Sequence, residues 1–240
     1  MKKFIAILVV TIFTSSIQAQ VIKGLINKVT NKDKNAKSGL STEEVVQGLK
    51  EALTVGAEKS ANQLSNVDGF FKNEAIKILL PPEAKKVQDA LSKIPGGSKY
   101  VEDAILSMNR AAEDAAKSAA PIFINAIKNM SFADAWEILK GSDSAATKYL
   151  KQQTSKPLTD AFRPIIDKSL AKVNATQHWN TVFSTYNKFS FKKINPDLAS
   201  YVTEKALEGI FYQLAQEELK IRKDPIAQTT NLLKKVFGGK

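Results

Sequence analysis

The stretch PDLASYVTEKALEGIFYQLAQEELKIRK at residues 196–223 decides the fold class. Its apolar side chains recur at helical spacing, which places Val202, Ile210 and Leu214 on one inward face. Pro196 suits the first turn of a helix, where the missing N–H would have had no intrahelical partner. The sequence therefore predicts that 196–223 forms the longest helix of the chain.

The segment that begins at Ser41 carries an equally clear helix signal. Ser41 and Glu44 match the S-x-x-E capping box, in which the two side chains satisfy free amides of the first helical turn. The helix that follows, to about residue 64, has small residues at every fourth position, including Gly48 and Gly56. Each glycine costs up to about 1 kcal/mol relative to Ala. Their presence predicts a close approach of another helix, which larger side chains would block.

Start and stop signals for further helices follow at short intervals, and only residues 76–80 are ambiguous between helix and strand. No repeat period of 20–50 residues is present, which argues against a solenoid. We therefore expect an all-α, single-domain bundle of about ten helices without a significant sheet. One further helix is predicted to begin at Pro82, and the next to carry the apolar stripe at 101–115. Another should run from Ser131 to Gly141, another should follow Pro164, and the last should end before Gly238.

The first forty residues differ in composition from the rest. Lys2 and Lys3 precede a mostly apolar run at 4–13, and Ala19 provides a small residue for cleavage, so residues 1–19 are predicted to be a secretory signal peptide. Ten apolar residues are far fewer than the roughly 20 that span a bilayer. Residues 20–40 are predicted to form a basic linker or short helix, and 41–240 the helical domain. The mature protein is expected to be soluble in the periplasm. It is expected to have no lipid anchor, because the chain has no cysteine to which a lipid could be attached.

Several classes of chemistry are excluded by residue counts. The chain has no Cys and a single His, His178, so it lacks disulfides, thiolate nucleophiles and any zinc motif that needs two histidines. Its net charge is +11, partly concentrated in residues 1–40. This distribution predicts at most weak attraction to an anionic membrane surface, and we expect no nucleic-acid partner.

The chain has 32 lysines and three arginines, and each arginine has acids within helical reach. A guanidinium is a planar fork of five donors, so these arginines mark places where lysine would not serve. Two interpretations remain open: ion pairs that join helices in the polar interior, or a pocket that clamps a carboxylate or phosphate ligand. The candidates are Arg110 with Glu113 and Asp114, Arg163 with Asp160 and Asp167, and Arg222 with Glu218.

Two pairs of adjacent acids, Glu113/Asp114 and Glu217/Glu218, are candidates for general acid–base chemistry. Adjacent helical residues point about 100° apart, so the two acids of one pair do not face each other. One acid of each pair is therefore expected in an ion pair and the other on a solvated face. The Glu-x-x-His spacing of helical metal sites is missing, so no metal is predicted, and no cofactor motif is present.

Two further features allow a structural and a functional interpretation. The segment GSDS at 141–144 precedes a predicted helix start, where free amides either cradle an anion or are satisfied by ordinary helix caps. A set of aromatic residues either lines a cavity for an apolar ligand or belongs to the core. These aromatics are Phe70, Phe71, Trp136, Phe183 and Tyr186.

Several segments together resemble one bacterial family, the proteins grouped as domain of unknown function 4197. The resemblance covers about residues 41–240, and it implies an exported, helical envelope protein without assigning catalytic residues. The segments are GLKEAL at 48–53, MNRAAEDAA at 108–116, ILKGSDSAATKYL at 138–150, FRPII at 162–166, DLASYVTEKALEGIFYQLAQEELKIRKDP at 197–225 and TTNLLKKVFG at 229–238.

Together these observations favour a non-enzymatic binding or scaffold domain of the envelope, with an unknown protein or a small anionic or apolar ligand as its partner. The alternative is a hydrolase that acts on an envelope polymer through Asp and Glu residues. The two hypotheses differ in structure: closed salt bridges favour the scaffold, whereas two carboxylates facing each other about 5–9 Å apart in an open cleft favour the hydrolase. The sequence leaves the oligomeric state open.

Overall fold

The computed structural model describes residues 41–93, 95–189, 191, 193 and 197–224. The predicted signal peptide at 1–19, the basic segment at 20–40 and the predicted last helix beyond residue 225 lie outside these ranges.

The described part of the chain is all-α, as predicted, and it contains no strand. Eight α-helices and one short 3-10 helix account for its regular structure, close to the ten helices expected. None of these helices is long and apolar enough to cross a membrane. They are α1 (Thr42–Ser65), the 3-10 helix Pro82–Ala84, α2 (Lys85–Leu91), α3 (Gly97–Ala116), α4 (Ala119–Asn129), α5 (Phe132–Lys140), α6 (Ala145–Ala171), α7 (Ala175–Phe189) and α8 (Leu198–Lys223).

The core is built mainly by α1, α3, α4, α6 and α8, and α5 and α7 add a few buried side chains. Helix α6 packs against α3 and α8, while α1 packs against α4 and α8. The largest fully buried side chains include Phe70, Phe123 and Phe162. Helix α2 contributes no buried residue. The buried surface of α1 includes both glycines at 48 and 56. At Gly56 the neighbouring helix α8 does not come close enough to exclude a methyl group, so the predicted reason for this glycine was wrong.

Helix α6 corrects two expectations. A separate helix was predicted beyond Pro164, but Pro157 and Pro164 both lie inside one continuous helix of 27 residues, which also makes α6 one residue longer than α8. Both prolines are exposed, so water can satisfy the carbonyls that lose their intrahelical N–H partners. On the opposite side, Leu158, Phe162 and Ile166 are fully buried at four-residue spacing. This packing holds the helix together across the prolines.

Two helical glycines with different surroundings provide a stability test. A Cβ at Gly56 would meet Ile221 Cδ1 at 3.4 Å, an ordinary contact, whereas a Cβ at Gly209 would lie 2.5 Å from Cε1 of the fully buried Phe70. We expect Gly56→Ala to stabilise the fold by up to about 1 kcal/mol through helix propensity. Gly209→Ala should destabilise the fold by about 1–2 kcal/mol, because the cost of overpacking against Phe70 exceeds the gain in helix propensity. Thermal unfolding of both variants measures the two signs, and a shift of both melting temperatures in one direction contradicts this account.

Candidate functional site

Glu218 lies buried on α8, and its carboxylate caps the N-terminus of α6. The backbone N–H groups of Ala146 and Thr147 donate to its two oxygens at 3.0 and 2.8 Å, and the Thr147 hydroxyl donates at 2.7 Å. Arg222 completes the arrangement: its Nε donates to Glu218 Oε1 at 3.0 Å, and its Nη2 donates to the carbonyl of Ile138 at 2.9 Å. The Arg222 side chain is 8% exposed. The predicted Arg222–Glu218 pair therefore forms inside the domain and joins α8 to the end of α5 and the start of α6.

The structure answers the question about the segment at 141–144. Ser144, the residue before α6, makes no side-chain capping bond, so the free amides of this helix bind an anion that the protein itself supplies, Glu218. A Cβ at Gly141 would lie 2.6 Å from Ala145 Cβ, which explains the glycine at this tight connection. Lys223 pairs with Asp143 at 2.6 Å on the exposed side. This helix terminus is thus occupied by a structural contact.

A second buried glutamate, Glu113 on α3, holds the loop that follows α1. Its Oε1 accepts hydrogen bonds from the backbone N–H groups of Phe70 and Phe71 at 3.0 and 3.1 Å. Its Oε2 accepts from Arg110 at 2.6 Å, and the same guanidinium donates to Asp68 at 2.6 Å. The hydrogen bond to Glu113, together with the one to Asp68, raises the pKa of Arg110. Arg110 therefore acts as a bridge between α3 and the loop, although its side chain is 35% exposed.

The ambiguous segment at 76–80 is neither helix nor strand, and α3 anchors it as well. The carboxamide of the fully buried Asn109 accepts a hydrogen bond from the Ile78 N–H at 2.9 Å and donates to the Ile78 carbonyl at 2.8 Å. The Tyr201 hydroxyl of α8 donates to the Leu79 carbonyl at 2.8 Å. Burial, with a contribution from nearby glutamates, raises the pKa of Tyr201 to about 12, so this donor keeps its proton under ordinary conditions.

Glu217 on α8 is a third buried glutamate in the described part of the chain, and it is paired with two lysines. The expectation that one acid of the Glu217/Glu218 doublet lies on a solvated face was therefore wrong, because both are buried and ion-paired. Lys59 of α1 lies 3.0 Å from its Oε2, and Lys220 donates to its Oε1 at 2.6 Å. The Gln213 amide donates to Oε1 at 3.4 Å and to Gln63 of α1 at 3.1 Å. Burial would raise the pKa of Glu217, but the hydrogen bonds from Lys220 and Lys59 outweigh it and hold that pKa below its ordinary value of 4.5.

The lowered pKa of Glu217 predicts a defined acid sensitivity. Because the folded-state pKa is below the unfolded value, the pair stabilises the fold above about pH 4.5, and this contribution is lost as the pH falls through the folded-state pKa. We expect Glu217→Gln to unfold at lower urea concentration than the parent at pH 7, with the difference shrinking as the pH is lowered below 4.5. A urea midpoint difference that does not change with pH contradicts this role of Glu217.

Asp114, which was predicted to pair with Arg110, has other partners. Asp114 does not pair with Arg110; it accepts from Ser169 of α6 at 2.9 Å and from Lys117 at 3.0 Å. The cause is the angle of about 100° between neighbouring helical residues, which turns Glu113 toward the loop and Asp114 toward α6. Each acid of this doublet is therefore engaged in a different contact.

Arg163 corrects the expectation that all three arginines lie in the interior. Its side chain is 48% exposed, and its Nη2 donates to Asp197, the N-cap of α8. Burial would raise the pKa of Asp197, but hydrogen bonds from Arg163 and the Ser200 N–H outweigh it and lower that pKa. The prediction that Arg163 pairs with Asp160 or Asp167 on its own helix was wrong. Asp160 pairs with Lys156 instead. Arg163 spans two helices at the surface.

The remaining candidates lie partly in the core and partly at the surface. Among the residues that the structure describes, no group of three or more His, Asp or Glu side chains is arranged to hold a metal ion. Phe70 and Phe183 belong to the core, while Trp136 stacks on Phe132 at 6.2 Å between ring centroids. His178 is exposed on α7. The side chain of Tyr186 lies outside the described part.

The partners that sequence reasoning missed lie far away along the chain. Asp68 is 42 residues from Arg110, and Asp197 is 34 residues from Arg163. A signal for Asp68 was present, since Asp-Gly at 68–69 is a turn dipeptide. Asp68 has a positive φ of 71°, and a Cβ at Gly69 would lie 2.6 Å from the Gln63 carbonyl. The turn therefore requires these residue types, and it delivers the acid to Arg110.

The bridging geometry predicts that Arg110 is not replaceable by lysine. A single ammonium cannot reproduce two hydrogen bonds that leave one planar group toward Glu113 and Asp68. We expect Arg110→Lys to lower the free energy of unfolding by about 1–2 kcal/mol, more than alanine substitution of any lysine in residues 20–40. Chemical denaturation of Arg110→Lys beside Lys32→Ala measures the difference, and equal stabilities would contradict a structural role for Arg110.

Comparison with known proteins gives one match. Residues 39–238 match the model of the family described as "Protein of unknown function (DUF4197)", over nearly the range that the quoted segments indicated. No curated protein and no solved structure is significantly similar to the chain.

Proposed function

The chain belongs to the family described as "Protein of unknown function (DUF4197)", and from this premise we propose that it is an exported, non-enzymatic helical domain that binds a component of the bacterial cell envelope. The helices form a rigid framework in this proposal, and the surface carries the binding. The arginines serve the framework rather than a catalytic centre.

One observation carries this proposal: within the ranges that the structure describes, each of the three buried glutamates is engaged by the protein itself. Glu113 accepts from two backbone amides and Arg110, Glu217 is paired with two lysines, and Glu218 caps α6 and binds Arg222. A general acid or base must lie within hydrogen-bond reach of a substrate proton. Carboxylates closed in this way support a scaffold more than a hydrolase.

Export is proposed from residues 1–19, with cleavage after Ala19. Intact-mass spectrometry of the chain produced in a bacterial host tests it: the expected mature protein begins at Gln20 and is recovered from the periplasmic fraction. A cytoplasmic chain that retains Met1 would overturn this part of the proposal.

The binding function is tested with the full chain and an isolated bacterial envelope fraction that contains its peptidoglycan. We expect saturable co-sedimentation, without release of soluble saccharide fragments or new reducing ends. Fragment release that disappears in Glu217→Gln would overturn the proposal in favour of a hydrolase. Absence of both co-sedimentation and release would also overturn it.

A further inference from the structure

An open depression of about 420 Å³ lies beside the C-terminal end of α1, where the chain enters the loop that Glu113 anchors. Its volume falls within the range of small-molecule sites, about 300–1,000 Å³. The lining is mixed: apolar and polar atoms share its surface, and the polar groups include the carboxamides of Gln63 and Asn66 and the charged groups of Asp68, Lys72 and Glu74. The one apolar side chain that projects here is Val67, which is 76% exposed.

Two buried polar networks reach the surface at this depression. Asp68 on its wall is bound to Arg110, which is bound to the buried Glu113. Gln63, also on the wall, accepts a hydrogen bond from Gln213. Gln213 in turn donates to the buried Glu217. The wall groups are therefore oriented from behind by side chains in the interior, which is the arrangement that preorganises a binding site.

The charges of the depression narrow the chemistry of its ligand. Lys72 of the lining pairs with Asp68 at 2.8 Å, and Arg110 behind it pairs with Asp68 at 2.6 Å and with Glu113, so both cations already have acidic partners. Glu74 adds a further negative charge, which disfavours a carboxylate or phosphate ligand. An apolar ligand would leave the amides and carboxylates without partners, at a cost in free energy. A neutral ligand rich in hydroxyl groups fits these restrictions.

Carboxamides and carboxylates match hydroxyl-rich ligands because they supply donors and acceptors side by side. Within the described residues, the side chain of Asn66 forms no hydrogen bond or ion pair, so both its N–H₂ and its oxygen are free to meet a ligand. The exposed Val67 beside it offers an apolar contact for the C–H face of a sugar ring. We propose that this depression, formed by Gln63, Asn66, Val67 and the Asp68–Glu74 loop, binds a neutral saccharide. The inference rests on the proposed binding function and names its ligand class.

Nuclear magnetic resonance of the full ¹⁵N-labelled chain tests this site, with chitotriose and maltotriose as neutral probes and inorganic phosphate as the anionic one. We expect at least one of the two saccharides to shift the backbone amides of 66–74 and the side-chain amides of Gln63 and Asn66 in a saturable way. Phosphate should leave them unchanged. Asn66→Ala should weaken saccharide binding about two- to tenfold, as expected for the loss of one hydrogen bond.

Matched variants separate a local site from general effects. Gln152→Ala removes an exposed carboxamide from α6 and should bind like the parent. A loss of binding in Gln152→Ala as large as that in Asn66→Ala would overturn the assignment to this depression. No saturable shift of residues 63–74 with either saccharide would also overturn it. Continued co-sedimentation with the envelope would then leave the proposed function standing, whereas fragment release would refute that function separately.

Discussion

Replacing Arg222 with alanine is expected to lower the free energy of unfolding by about 3–5 kcal/mol, because it leaves the Glu218 carboxylate buried without its cation. Arg222 also donates a hydrogen bond to the Ile138 carbonyl at the end of α5, and that hydrogen bond is lost as well. For a domain of about 200 residues such a loss lowers the melting temperature by roughly 6–20 °C. Differential scanning calorimetry and urea titration of the variant measure it.

The neighbouring Lys223 provides the matched control. It pairs with the exposed Asp143, and exposed pairs contribute little to stability, so Lys223→Ala should change the free energy of unfolding by less than about 1 kcal/mol. The double variant Arg222→Ala/Glu218→Gln tests the cause. If the loss comes from an uncompensated buried charge, neutralising Glu218 recovers part of it. Equal effects of Arg222→Ala and Lys223→Ala would refute the interior role of Arg222.

Local signals were sufficient for several contacts whose two partners lie within about one helical turn. The capping box of Ser41 and Glu44 forms as the S-x-x-E spacing predicts, and the start of α5 at Ser131 uses Asp134 in the same way. The Arg222–Glu218 pair belongs to this class, since four residues on a helix place both side chains on one face. Such predictions need no knowledge of how the helices pack.

Contacts between helices were not predictable from the same patterns. Periodicity specifies which face of a helix is apolar, but it does not say which helix covers that face. For this reason Arg163 was matched to acids on its own helix, while its partner Asp197 is on another. Pro164 was misleading for a related reason: local propensity predicts a helix end there, and the tertiary packing of Phe162 and Ile166 overrides it.

The contacts of the candidate site also divide into local ones that the sequence predicted and long-range ones that it did not. Glu113 was identified from its spacing to Arg110, and that contact forms. Its bonds to the Phe70 and Phe71 amides span more than forty residues and carried no sequence signal. The depression at the end of α1 depends on those long-range bonds, so its location became visible only when the loop and α3 were seen together.

Replacing Glu113 with alanine is expected to cost about 3 kcal/mol or more. The substitution leaves the Phe70 N–H, in a fully buried residue, and the Phe71 N–H without their acceptor. Each unsatisfied buried donor costs about 1–3 kcal/mol. Arg110 also loses one of its two carboxylates. The loop should therefore detach from α3, and amide hydrogen exchange should accelerate most at residues 70 and 71.

Two further variants decide between a charge effect and an acceptor effect at this position. Glu113→Gln keeps an oxygen for the two amides but removes the charge that Arg110 binds, so its loss should be smaller than that of Glu113→Ala. Glu102→Ala removes an exposed acid from the same helix and should leave both stability and exchange at residues 70 and 71 unchanged. If Glu113→Ala preserves slow exchange at those two amides, Glu113 does not anchor the loop. The preorganised wall of the saccharide site would then lose its physical basis, because Asp68 is held through Arg110 and Glu113.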